Sequence, residues 1–234
     1  MREGKIRMRI VIVRHGEPDY EKDCLTEKGH LQAAAAAKRL ENEGIEAIYT
    51  SPMGRARETA EALAKHIGLE MVTPLPWIRE LSWGSVDDTP IVADGHPWTL
   101  ANRMIRDRDD LLSPQWRQHP LFSHNRVVAE AARTEAGTDE WMKELGYVRE
   151  GLYYRCCRTD RVQHTVALFC HGGSSSALLA HLLNVTFPYV CAVLHMPFTG
   201  ITIIRLGREP GELVMPIVEL ASDSRHLNEP YPEE

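Results

Sequence analysis

No stretch of the 234-residue chain approaches the roughly 20 consecutive apolar residues that a membrane-crossing helix requires. The apolar run in the opening MREGKIRMRIVIV is too short for a signal-peptide core, and it leads into RHG without a small-residue cleavage site. No C-x-x-C pair occurs, which speaks against a structural zinc site. The five cysteines (Cys24, Cys156, Cys157, Cys170 and Cys191) are odd in number and two are adjacent, a pattern that fits a reduced, cytoplasmic protein better than a disulfide framework. Positive charge is not in surplus either: 27 Lys and Arg against 33 Asp and Glu leave a formal charge of −6. Neither nucleic acid nor an anionic membrane surface is therefore an expected partner, and any anion site has to gather its Arg and His locally. Internal repeats and low-complexity linkers are absent. What is present is a 43% hydrophobic composition, enough for a sizeable core, in a length that suits one α/β domain with a large insertion.

Ile10 to Val13 are consecutive β-branched residues, as in a strand covered on both faces. Thr26 is placed to cap a helix whose apolar face reads Leu31, Ala34, Ala35 and Leu40, with Gly44 after it. A short strand over 45–49 and a second helix, GRARETAEALAKHI, closed by Gly68, follow. LEMVTPLPWIREL reads as extended and broken by proline. Residues 9–80 thus alternate strand and helix, which predicts a parallel sheet wrapped by helices in a three-layer α/β/α sandwich. Residues 84–150 break the rhythm and read as a mostly helical cap inserted over one end of the sheet, within a single domain spanning 1–234. The alternation resumes with a strand over 165–170 and a helix from about Ser174, and FTGITIIRLG and ELVMPIVELA read as a closing pair of strands.

Two of these strands end alike, VIVRHG in Arg14-His15-Gly16 and VALFCHGG in His171-Gly172-Gly173. The carboxyl ends of parallel strands share one edge, where ligands bind, so the two histidines are expected to face one site. A helix N-terminus after His171 favours an anion. With Arg14 and the arginines of SPMGRARETA the composite reads as a phosphate pocket.

The motifs RHGEP, LTEKGHLQA, TSPMGRARETA, RELSWG and CHGG, together with SDSRHL near the end, resemble those of the histidine phosphatase superfamily, the phosphoglycerate-mutase-like group. The resemblance implies that His15 is the nucleophile that becomes phosphorylated, that Arg14, Arg55 and His171 hold the phosphoryl group, and that Glu80 supplies the proton. Glu17 and Gly172 are further candidates for substrate binding. It implies no cofactor and no metal, and a small phosphorylated substrate as partner, with homo-oligomerisation left open. The chemistry agrees: a phosphomonoester needs an in-line nucleophile, charge on the equatorial oxygens and a proton for the leaving alkoxide. The planar fork of arginine suits the second task.

Other residues carry blander readings. Arg57 is placed for an i,i+4 ion pair with Glu61, and the Ser174-Ser175-Ser176 run for capping, since no G-x-S-x-G elbow surrounds it. His96, His119 and His124 read as ordinary surface or core residues, and the tryptophans of the insertion as core. The mutases resemble R-H-G-E-S-x-W-N, with an Asn where this chain has Glu21; they carry a longer segment before the first helix, and Y-G-x-L-Q-G where this chain reads LSWGSVDDTP. The R-H-G-x-R-x-P form of the acid phosphatases and phytases is absent. These departures predict a phosphatase for a small phosphorylated metabolite. The alternatives are a cofactor-dependent phosphoglycerate mutase and a non-catalytic phosphate-binding module, which would have no use for an acid at Glu80.

Overall fold

The computed structural model describes residues 7–159, 162–207 and 209–227; the outermost residues of the expected 1–234 domain lie outside them. The chain runs β1 (Arg7–Arg14), β2 (Pro18–Asp19), β3 (Cys24–Leu25), α1 (Glu27–Leu40), β4 (Ala47–Thr50), α2 (Gly54–Ile67) and β5 (Val72–Pro74). It continues through α3 (Pro97–Asp107), α4 (Val127–Glu144), β6 (Tyr147–Glu150), β7 (Tyr153–Cys156), β8 (His164–Cys170), α5 (Gly172–Leu183) and α6 (Phe187–Val193). It closes with β9 (Ile201–Gly207), β10 (Leu213–Val214) and β11 (Ile217–Asp223).

Six strands form the central sheet in the order β11-β9-β1-β8-β4-β5. β1, β8, β4 and β5 are parallel, while β9 runs antiparallel between β1 and β11. The period of two in β1 splits the core. Met8, Ile10 and Ile12 pack with α3, α4, α5 and α6 on one face, whereas Val11 and Val13 meet Ala37 and Leu40 of α1 and Ala60 and Leu63 of α2 on the other. This is the expected three-layer α/β/α sandwich with a mostly parallel sheet.

Thr26 caps α1 as expected, accepting from the Gly29 N–H at 3.0 Å. The buried face of that helix is not the one read from the sequence. Leu31 and Ala34 are exposed, and Gln32, Ala33, Ala36, Ala37 and Leu40 point inward. A run of five alanines carries little periodic signal, and Gln32 is drawn in because its Oε1 accepts the Glu17 N–H at 2.7 Å. The region 84–150, expected as a mostly helical cap, holds α3 and α4 and ends in β6. α4 packs along α5 and buries Trp141 and Met142 in the core of that layer. From Tyr147 the chain is a hairpin, with Glu150 paired to Tyr153, that joins β10 in a small three-stranded sheet. α3 and the turn before it line a cleft beside Arg14, at the carboxyl edge of the central sheet. Among the described residues no single helix is long and apolar enough to cross a membrane.

Candidate active site

In the β1–β8 pairing Arg14 lies opposite Cys170. The next residue on each strand, His15 and His171, therefore leaves the sheet beside the other, and their rings meet edge-on with centroids 5.0 Å apart. The His15 N–H donates to the Cys170 carbonyl at 2.9 Å, which continues the ladder one step past the strand. Its Nδ1 lies 2.7 Å from the Gly16 carbonyl oxygen. A carbonyl oxygen only accepts, so Nδ1 carries the proton and Nε2 keeps its lone pair. That lone pair faces the Arg55 Nε–H at 3.3 Å. Burial pushes the His15 pKa down to about 3, and the guanidinium groups of Arg14 and Arg55 push the same way against the Gly16 hydrogen bond. The imidazole is accordingly neutral through the physiological range. Gly16 is required sterically, because a Cβ there would sit 2.6 Å from the Gly29 carbonyl oxygen.

Arg14 ends β1 and donates from Nη1 to the Met196 carbonyl, with its guanidinium 4.3 Å from the centre of the Phe198 ring. Its Nε is buried without a protein partner. Burial lowers its pKa, while Tyr20 and Glu80 act the other way. Arg55 stands in the first turn of α2, 5% exposed, and Asp23 fixes it. One Asp23 oxygen accepts from Arg55 Nη1 at 2.5 Å and the other from the Gly54 N–H at 2.7 Å. The same carboxylate thus caps α2, whose own N-cap residue, Met53, makes no side-chain cap. Asp23 reaches this position at a φ of 51°, and a Cβ on Gly54 would lie 2.0 Å from its carbonyl oxygen.

His171 is the N-cap of α5, which begins at Gly172 rather than Ser174. Its Nε2 lies 2.7 Å from Ser51 Oγ, which stands one residue beyond β4. Burial holds its pKa well below the usual value, with His15, Arg55 and Arg14 adding to the effect. The helix N-terminus is not simply open to an anion. The carboxylate of Glu80 accepts from Ser174 N at 2.9 Å, Gly173 N at 3.3 Å and its neighbour Leu81 N at 2.8 Å. Burial raises the Glu80 pKa, and it outweighs these three N–H groups and Arg14, which favour the anion. Gly173 admits the carboxylate: a Cβ there would lie 2.7 Å from Glu80 Oε1.

The structure therefore gathers Arg14, His15, Arg55, Glu80, His171 and Gly172 at one edge of the sheet. Glu17 is placed differently. Its carboxylate accepts from Thr26 Oγ1 at 3.0 Å and lies 3.8 Å from Lys28 Nζ, so it braces the start of α1 instead of lining the cleft. Arg57 pairs with Glu61 at 3.6 Å, and Ser174 Oγ accepts from the His171 N–H at 3.4 Å. Ser175 and Ser176 donate to the Gly172 carbonyl. His119 and His124 pair with Asp109 and Asp87.

A cleft of about 550 Å³ opens beside Arg14 and Gly172. Its walls are His96, Trp98 and Asn102 from α3 and the turn before it, and Cys191, His195 and Met196 from the end of α6. The sequence reading takes His96 as ordinary and the insertion's tryptophans as core. Trp116 and Trp141 are core, but Trp98 and His96 stack 5.2 Å apart on the cleft wall. Asp23 and Tyr20 are further site residues that the sequence reading does not single out. The Tyr20 ring lies 5.4 Å from the Arg55 guanidinium, and Tyr20 also acts on Arg14. The aromatic at that position of R-H-G-E-S-x-W-N was the available signal for Tyr20.

Comparison with known proteins gives a consistent picture. Residues 10–142 match the model of the histidine phosphatase superfamily (branch 1). The chain is 28% identical over 235 residues to a Yersinia pestis protein named "Probable phosphoglycerate mutase GpmB", covering 95% of this chain and 96% of that one. The native structure of a mycobacterial glucosyl-3-phosphoglycerate phosphatase superposes with a TM-score of 0.63 at 24% identity, covering 92% and 99% of the two chains. A phosphoglycerate mutase from Bacillus anthracis superposes with a TM-score of 0.61 at 16% identity, covering 96% of each. At these identities the two superpositions speak for the fold.

Proposed function

The chain belongs to the histidine phosphatase superfamily, and from that premise we propose that it hydrolyses a small phosphomonoester, without a metal, through a phosphohistidine on His15. The observation that carries the proposal is the state of His15: a buried neutral imidazole, its Nδ1 proton held by the Gly16 carbonyl and its Nε2 lone pair aimed into a cluster of cations. Nε2 attacks phosphorus in line with the ester oxygen. The N–P bond forms as the P–O bond to the alcohol breaks. Arg14, Arg55 and the N–H of Gly172 neutralise the equatorial oxygens, and His171 packs beside the transferring group. Glu80, protonated at its raised pKa, gives its proton to the departing alkoxide. As a carboxylate it then takes a proton from the water that attacks the phosphohistidine, which releases inorganic phosphate and restores His15.

Relatives named as mutases keep a mutase reading in play. Hydrolysis is favoured because Glu21 stands where the mutase pattern has Asn, and because the connection from His15 to α1 is only the short hairpin of β2 and β3. The test is steady-state phosphate release from p-nitrophenyl phosphate and from alkyl phosphates, in EDTA and with vanadate. Turnover that persists in EDTA and is blocked by vanadate is expected. A strict divalent-metal requirement, or fast interconversion of 3- and 2-phosphoglycerate with supplied bisphosphate, overturns the reading.

A further inference from the structure

The cleft beside the phosphoryl site has an unusual charge inventory. Among the described residues that line it, Arg14 is the sole Lys or Arg, and no Asp or Glu is present. Arg14 is already committed, to the Met196 carbonyl, to the Phe198 face and, in the proposed reaction, to the phosphoryl oxygens. The remaining polar side chains are His96, Asn102 and His195. His96 has its Nδ1 on Thr99 Oγ1 at 3.1 Å, which leaves Nε2 for a ligand, and burial lowers its pKa. Asn102 is exposed and brings an amide that both donates and accepts. His195 is exposed at the opposite wall. Trp98 stands between them, partly exposed, its six-membered ring within 3.6 Å of where a Gly172 Cβ would be. It is thus an apolar plate at the entrance to the phosphoryl site.

An alcohol bearing a carboxylate finds no unengaged fixed cation in this cleft, and a desolvated carboxylate without a partner is costly. An alcohol bearing an ammonium finds no carboxylate. A ring carrying hydroxyls finds an aromatic plate and donor–acceptor groups of either polarity. Building on the phosphatase reading, we propose that the cleft formed by His96, Trp98, Asn102 and His195 selects phosphomonoesters of uncharged, ring-bearing hydroxylic alcohols, of the sugar phosphate class, over phosphorylated hydroxy acids and amino acids.

The experiment measures kcat/KM for glucose 6-phosphate, 3-phosphoglycerate and phosphoserine, with p-nitrophenyl phosphate as a check on turnover itself. The sugar phosphate is expected to lead both carboxylate-bearing esters by tenfold or more. Trp98→Ala should collapse that lead chiefly through KM, while the vanadate inhibition constant, which reads only the phosphoryl site, stays within about twofold. Asn102→Arg, on the exposed rim, should raise kcat/KM for 3-phosphoglycerate by tenfold or more by supplying the missing cation. Preference of the wild-type protein for 3-phosphoglycerate or phosphoserine overturns the proposal while leaving the phosphatase reading in place. So does an unchanged ranking in both variants. Absence of p-nitrophenyl phosphate turnover overturns the phosphatase reading and this one with it.

Discussion

His15 and Glu80 sit about the same phosphoryl site with opposite pKa displacements, and the two displacements define a pH profile. In the proposed reaction His15 acts deprotonated, and since its pKa is pushed down to about 3 it should lose competence only in strong acid. In the same proposal Glu80 acts protonated, and because burial pushes its pKa up, activity should decline as pH rises through that elevated pKa. The alkaline limb with alkyl phosphates should belong to Glu80. Glu80→Gln is expected to abolish that limb and to cost about 10²-fold or more in kcat on alkyl phosphates, but far less on p-nitrophenyl phosphate, whose phenolate needs little help to leave. Equal losses on both substrates would assign Glu80 to holding the helix N-terminus alone. Asp23 supports a second prediction at this scale. Asp23→Ala frees the Arg55 guanidinium and uncaps α2 at once. Asp23→Asn keeps an acceptor for the Gly54 N–H but removes the charge. If Asp23 orients Arg55, both variants should weaken vanadate inhibition by roughly tenfold, and only the alanine variant should also lose stability, by about 1 kcal/mol. Stability loss with unaltered vanadate inhibition would make Asp23 a cap only.

At the scale of elements, most of the site is legible because it is built from strand ends. β1 and β8 each finish an apolar run with a histidine, and parallel pairing forces those histidines to one edge. α2 begins with its arginine at a fixed offset from β4. What escapes is set by packing between elements. The alanine run of α1 does not reveal its inward face, and Leu31, expected on the apolar face, lies in solvent. The cleft wall depends on a turn at Ala93, Asp94 and Gly95, all at positive φ, which swings His96 and Trp98 over the sheet edge; two of those three residues give no glycine signal. Its other wall, the 191–196 segment, reaches the cleft through the docking of α6 against α3 and α5. Thr26 ties the local signal to the site. Its hydroxyl caps α1 and donates to Glu17. Thr26→Ala should cost about 1 kcal/mol in denaturant unfolding and leave vanadate inhibition little changed. A large loss of inhibition would show that Glu17 serves the pocket after all.

Over the whole molecule the sheet divides the labour. One face, with α1 and α2, delivers Arg55. The other, with α3, α4, α5 and α6, delivers His171, the docking place for Glu80 and the cleft. The long excursion between β5 and β6 is tied together by Asn125, which is 2% exposed. Its amide donates to the Gly95 carbonyl at 2.7 Å and accepts from Gly84 N at 3.3 Å and Val127 N at 3.0 Å. It thereby joins the start of the excursion, the turn before α3 and the start of α4. Asn125→Ala leaves buried groups of the Gly95 turn unsatisfied, at about 1–3 kcal/mol, and should raise KM for large alcohols more than for p-nitrophenyl phosphate. A uniform change in both would show that the excursion carries stability without shaping the cleft. The proposed reaction rests on a covalent step at His15, and a single-turnover rapid-quench experiment with 32P-labelled substrate tests that step most directly. The wild-type protein should trap acid-labile, base-stable phosphate on His15, attached at Nε2, forming and decaying at rates that account for kcat. His15→Ala should trap none and lose roughly 10³-fold or more in turnover. Full turnover with no trapped phosphoprotein, or a His15→Ala protein that stays active, would contradict the account.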